Sequence, residues 1–280
     1  MTATRTEPDP QALEETIGAA LAAGERPGRP GAVHTSLTFG WRALLRIKHI
    51  PEQLFDVTIF PVMMTLMFSF LFGGALAGSV HDYLQFFIPG ILVQSVIMIT
   101  MYTGMALRTD IERGVFDRIR SLPIWRPSAL VGALLGDAVR FTVASAIVVG
   151  LGLALGFRPA GGVGGVLLGV AILLLFSFSL AWLWTLLGFV LRTTNAVMGV
   201  SMMIMMPLTF GSNIFVNPAT MPGWLEAFVR VNPVSHLTDS VRAAMTAGPV
   251  WPAAGIVLIE CAVLLAVFGP LTMRRFNRQT

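Results

Sequence analysis

The chain of 280 residues is 55% hydrophobic and only 12% charged, about half the roughly 25% charge of ordinary soluble domains, which excludes a water-soluble globular fold. Its net charge of +4 comes from basic residues scattered around apolar blocks, not set in one stripe with interleaved aromatics, which argues against nucleic acid and for an anionic membrane surface as the counterpart. A single cysteine, Cys261, rules out a disulfide or a multi-cysteine metal site within the chain and reads as a small buried hydrophobe.

Residues 1–34 are rich in Pro, Gly, Glu and Arg and hold no long apolar run, so a solvated, disordered tail is expected, and its composition does not fit a signal peptide. From Thr35 to Ile50, Leu37, Trp41, Leu44 and Leu45 recur at helical spacing while Arg42, Arg46 and His49 share another face, which predicts a helix lying in the membrane interface. Six apolar segments follow, near 54–77, 83–107, 129–157, 163–191, 196–216 and 252–273. Each is long enough to cross a bilayer, where every backbone polar group must be satisfied inside a helix. The expected fold is therefore all-α, a polytopic membrane protein with six transmembrane helices across a domain of residues 35–280.

Two connections are more than turns. Arg108 to Ser128 is dense in both signs of charge, and Ile111, Val115, Phe116 and Ile119 share a helical face. It reads either as a charged surface helix that anchors topology or as a docking helix for a soluble partner, with Phe116 filling a pocket. Asn217 to Pro249 is broken by Pro218, Pro222 and Pro233 into amphipathic pieces at Gly223–Val231 and Val234–Ala247, expected as short outer-face helices before the last span, with a plain loop as the alternative.

Lysines and arginines set the orientation, because cytoplasmic connections retain positive charge. Fifteen of the nineteen fall on one side: Arg5, Arg26, Arg29, Arg42, Arg46, Lys48, Arg108, Arg113, Arg118, Arg120, Arg126, Arg192, Arg274, Arg275 and Arg278. Arg158, Arg230 and Arg242 fall on the other, so both termini are expected in the cytoplasm. Charges inside the spans are costly unless paired or facing a cavity. Asp137 and Arg140 lie three apart on one face and are expected to neutralise each other. Glu260 has no local partner in sequence and either faces a cationic substrate, pairs with Arg242 or Arg230, or sits at the lipid edge.

Methionines cluster at Met202, Met203, Met205 and Met206, and again in the first two spans, where flexible thioethers suit adaptable apolar surfaces or ordinary helix packing. Gly165 with Gly169 and Gly152 with Gly156 have the small-xxx-small spacing that lets helices approach. A phosphate-cradling loop needs Gly-Lys before Ser or Thr, but the only lysine, Lys48, follows Ile47. The histidines are scattered, so neither catalytic nor metal-binding residues are expected here, and nucleotide chemistry would have to come from another polypeptide.

The joint order of these elements resembles the permease subunits of type-2 ABC exporters, especially the daunorubicin-resistance type. The likeness rests on Phe60-Pro61 and Leu71-Phe72-Gly73 in the first span, the run from Tyr83 through Pro89-Gly90 to Gln94 opening the second, Glu112-Arg113-Gly114 through Ser121-Leu122-Pro123, and Asn232-Pro233 followed by Arg242. It implies a plasma-membrane homodimer served by two copies of a separate ATPase, which uses ATP and Mg. It also implies that Glu112, Arg113, Gly114, Phe116, Asp117, Arg118 and Arg120 form the coupling helix. The substrate, a hydrophobic or amphipathic drug, antibiotic or lipid, would pass along the first, second and fifth spans, with Met67, Gln94, Met98, Met203, Met206 and Asn213 as candidate lining. A glycan exporter of the same superfamily would need a more polar, aromatic pathway. An ion-coupled carrier would show repeated halves and broken mid-membrane helices, neither of which is present.

Overall fold

The computed structural model describes residues 31, 34, 37, 38, 40, 41, 59, 61–71, 80–115 and 128–279. Within them the elements are helical: α1 (Pro61–Leu71), α2 (Val80–Glu112), α3 (Ser128–Leu155), α4 (Gly162–Val190), α5 (Thr194–Phe210), a 3-10 turn at Pro218–Thr220, α6 (Gly223–Val231), α7 (Pro233–Met245) and α8 (Val250–Gln279). Four of these are long and apolar enough to cross a membrane, namely α2, α3, α4 and α8, while α1 and α5 are shorter apolar helices. Residues 54–58 and 72–77 of the expected first span lie outside the described residues, as do most of Thr35–Ile50. His34, Leu37, Thr38, Gly40 and Trp41 are helical, with Gly40 buried and the other four exposed.

Helix ends depart from the expected spans in two places. The second helix runs five residues past 107, because Arg108 and Glu112 are an i,i+4 ion pair that carries the polar tip as one more turn. The fifth tolerates Pro207 in its last turn but stops at Gly211, so residues 211–217 bend away from the helix instead of completing the span to 216.

The bundle is built around α2, of whose most apolar stretch 83% is buried, against 17% for α8 at the periphery. Close approach to α4 depends on two glycines: a Cβ on Gly104 would lie 2.3 Å from the Trp184 carbonyl oxygen, and one on Gly188 would lie 2.7 Å from that of Gly104. Beside this crossing Trp184 Nε1 donates to Thr100 Oγ1 at 2.8 Å, satisfying the indole in an apolar core. The ends of α2, α4 and α8 meet where Leu107, Phe189 and Phe276 pack together. At the opposite end Gln85 Nε2 donates to the Gly156 carbonyl, Tyr83 OH to that of Phe215, and Gly161 N–H to that of Met245.

The connection expected as outer-face helices forms α6 and α7 almost at the expected bounds. The plain-loop alternative is overturned, since Val234, Leu237, Val241 and Met245 of α7 join the main core and pack it against α4, α8 and α2. Gly165 and Gly169 serve this helix: a Cβ on Gly165 would meet the Ala244 carbonyl oxygen at 2.2 Å. Gly152 packs on Ile88, whereas Gly156 has φ +107 and ends α3 in a turn that a side chain would strain.

Candidate functional site

Just past the end of α2 the backbone turns left-handed. Gly114 takes φ 66, with Arg113 N–H donating to the Thr109 carbonyl and Gly114 N–H to that of Ile111, a left-handed cap that only glycine adopts without cost. Glu112, the last residue of α2, accepts from Arg108 Nε at 3.2 Å, from the Thr194 backbone N–H at 3.1 Å and from the Thr194 hydroxyl at 3.2 Å. Its negative charge thus sits on the exposed N–H groups that begin α5, where the helix dipole favours an anion. Thr109 Oγ1 lies 3.3 Å from Thr194 Oγ1, a further link between the two helices. Thr193 caps the same turn by accepting from Ala196 N–H. Arg113 is exposed, while Phe116, Asp117, Arg118 and Arg120 lie outside the described residues. The corner that leads into the polar segment is therefore pinned to two apolar helices at once.

The opposite end has its own tie. Arg242 of α7 stacks on Phe86 of α2 with the guanidinium carbon 4.0 Å from the ring centre, and donates to the carbonyls of Phe86 at 3.3 Å and Asn213 at 3.0 Å. Burial pulls the Arg242 pKa down to about 10, with Asp239 opposing, so the group remains a cation at neutral pH. Asn213 Nδ2 donates to Asp239 Oδ1 at 2.6 Å. Pro89-Gly90 makes room here: a Cβ on Gly90 would lie 2.7 Å from the Ile214 carbonyl oxygen. Asn232 accepts from Val234 N–H to cap α7 and donates to the Leu208 and Gly211 carbonyls, closing the end of α5 onto α7.

Of the charges between these ends, Asp137 and Arg140 pair as expected, Arg140 Nη2 donating to Asp137 Oδ1 at 2.5 Å. Thr103 of α2 donates to the second carboxylate oxygen, a partner on another helix that spacing within α3 could not reveal. Glu260 is not held by Arg242 or Arg230 in the structure. Its partner is His236 of α7, Nδ1 to Oε1 at 2.7 Å, and the other ring nitrogen donates to the Arg230 carbonyl at 2.8 Å. Cys261 is buried at 3% exposure.

The candidate lining residues divide into two sets. Gln94 and Asn213 are buried, Gln94 Oε1 having no hydrogen-bond partner, and Met98 packs partly buried against the core. Met67, Met203 and Met206 are exposed, Met203 by 79%. On α5 the exposed set extends through Met198, Met202 and Phe210, and on α1 through Met63 and Phe70.

Known proteins resemble this chain in sequence. Residues 36–246 match the family described as ABC-2 type transporter. A daunorubicin resistance ABC transporter permease protein of Streptomyces coeruleorubidus is 51% identical over 92% of each chain. A protein of Mycobacterium tuberculosis named "Probable doxorubicin resistance ABC transporter permease protein" is 26% identical over 85% of this chain and 91% of its own. The match takes in α1 to α7 together with both ties that bind α2, α5 and α7, and the chain belongs to the ABC-2 type transporter family.

Proposed function

We propose that this chain is the permease subunit of an ATP-driven exporter for amphipathic, hydrophobic compounds, a reading supported by the daunorubicin and doxorubicin resistance for which its relatives are named. Six helices cross the plasma membrane, α1 and α5 completing the four long ones. Both termini and the Arg108–Ser128 connection lie in the cytoplasm, as the distribution of arginine favours. Two copies work with two copies of a separate ABC ATPase, which binds ATP and Mg and docks on the segment from Glu112 to Arg120. Substrate moves along α1, α2 and α5, where Met67, Met203 and Met206 offer an adaptable apolar surface.

The observation that carries this reading is the Glu112–Thr194 clamp. A push on the chain beyond Gly114 reaches the tips of α2 and α5 together, which a connection serving only as a topological anchor would not require. Co-purification with the partner ATPase tests it. Phe116→Asp with Arg118→Asp is expected to abolish ATPase retention and drug efflux while the permease still inserts; undiminished retention with normal efflux would refute the docking role.

A further inference from the structure

Between the ends of α4 and α8 lies a cavity of about 300 Å3, lined by Leu186, Val190, Leu271, Arg274 and Arg275. Its walls are fixed from behind. Thr272 Oγ1 donates to the Trp182 carbonyl at 3.3 Å, and Phe189 meets Phe276 edge-on at 6.1 Å between ring centres. The gap arises because α4 ends at Val190 and turns to extended backbone at Leu191, while α8 continues to Gln279. A helix of 30 residues is about 45 Å long, longer than a hydrocarbon core of roughly 30 Å, so its last turns rise into the headgroup layer.

Chemistry of the lining selects the occupant. Three aliphatic side chains form one part and two arginines the other, and among the described residues neither Arg274 nor Arg275 has an ion-pair or hydrogen-bond partner. Neither wall supplies a carboxylate nearby: α4 has no acidic residue, and Glu260, the sole acid on α8, lies fourteen residues before Arg274. Two guanidinium groups above an apolar cleft match a phosphodiester with acyl carbons below it, the phosphate accepting from the arginine forks. Basic pockets between membrane helices on the cytoplasmic side hold anionic headgroups in this way. Ligand clefts begin at roughly 300 Å3, so the space suits a headgroup and its first acyl carbons rather than a whole lipid.

We propose that this cavity is a binding site for an anionic phospholipid, its phosphate held by Arg274 and Arg275 and its acyl chain laid against Leu186, Val190 and Leu271. A zwitterionic lipid binds less well, because its ammonium group meets two cations. The assignment to the cytoplasmic leaflet, and that alone, rests on the orientation proposed above.

Native mass spectrometry of the purified chain in detergent tests the site, with phosphatidylglycerol, phosphatidylcholine and inorganic phosphate as probes. Phosphatidylglycerol should be retained in preference to phosphatidylcholine and should not be displaced by millimolar phosphate. Arg274→Gln and Arg275→Gln should each lower that preference about fivefold. Leu271→Trp, which fills the cleft and spares both arginines, should lower retention of either lipid, and Arg192→Gln, outside the lining, should change nothing. Equal retention of the two lipids, full displacement by phosphate, or an unaltered preference in the double arginine variant would overturn the proposal. Orientation is read separately, by labelling Asn277→Cys in a Cys261→Ser background from either side of sealed vesicles.

Discussion

Replacing Arg140 with Met removes one member of an ion pair whose side chains are 4% and 13% exposed. The Asp137 carboxylate would keep only the Thr103 hydroxyl, and breaking a buried pair from one side costs about 3–5 kcal/mol because a charge is left uncompensated. Asp137→Leu strands the guanidinium at a similar cost, for Arg140 Nε has no partner and the Tyr102 and Phe141 rings lie 5.9 Å away. Removing both charges together is near neutral or stabilising, since the desolvation cost disappears with the attraction. The two single losses, together about 6–10 kcal/mol, should therefore shrink almost to nothing in the double variant. Each single change should lower the unfolding midpoint by about 10 °C at the 2–4 °C per kcal/mol of a large domain. The assay is built into the chain: Cys261 is the only thiol and is buried, so a thiol-reactive fluorophore reports unfolding directly. Additive losses, or an Arg140→Met midpoint within about 2 °C of wild type, would refute the reasoning. A double variant of full stability that no longer exports drug would show that the pair also acts in transport.

At the Gly114 corner, Glu112→Ala should leave the fold intact but lower efflux severalfold at unchanged ATPase retention, measured by drug accumulation and co-purification. Gly165→Ala places a Cβ 2.2 Å from a backbone oxygen of α7 and should cost about 1–3 kcal/mol in the same unfolding assay. Gly164→Ala, which meets nothing, should stabilise the helix by up to about 1 kcal/mol. Burial disfavours charge on His236, but the Glu260 carboxylate, the Arg230 carbonyl and Asp239 outweigh it and raise its pKa. The tie between α7 and α8 is then fully present below the ordinary histidine value of about 6.5 and weakens as pH rises through the higher native one, so midpoints should fall as pH climbs above about 6.5. His236→Gln should flatten that dependence. Finally, Thr109→Cys with Thr194→Cys in a Cys261→Ser background places two thiols where hydroxyls lie 3.3 Å apart, and efflux with the disulfide formed should equal that of the same variant reduced. Loss of efflux on oxidation that reduction restores would contradict a fixed α2–α5 contact.

What the sequence displayed and what it hid separate along physical lines. Long uncharged runs form the long apolar helices, and Pro222 and Pro233 sit where α6 and α7 begin, because a ring without an N–H opens a helix readily but forfeits a hydrogen bond inside one. The burial of α7 was not legible, because Ser235, Thr238 and Ser240 on its inner face count as polar in any hydropathy. Thr238 and Ser240 solve this within the helix, donating to the Val234 and His236 carbonyls, so they enter the core at little cost. The Asp137–Arg140 pair showed itself through spacing on one helix, whereas Thr103, Glu112 with Thr194, and His236 with Glu260 join helices distant in sequence, and no single-helix periodicity encodes such a meeting.

These long-range contacts change what a mechanism must look like. α5 is tied to α2 at its first turn through Glu112 and Thr194, and beyond its last turn through Ile214 against Gly90 and through Asn213 and Phe86 on Arg242. A helix held at both ends cannot swing from its neighbour without breaking charged or buried polar contacts, each worth about 1–3 kcal/mol. The methionine-rich face of α5 nevertheless turns away from α2, with Met203 the most exposed of the set. Opening a path for substrate therefore does not consist in separating α2 from α5. Under the proposed function it consists in moving the two together as one frame against whatever covers that face, with Gly114 as the point where a force from the docked ATPase would enter the frame.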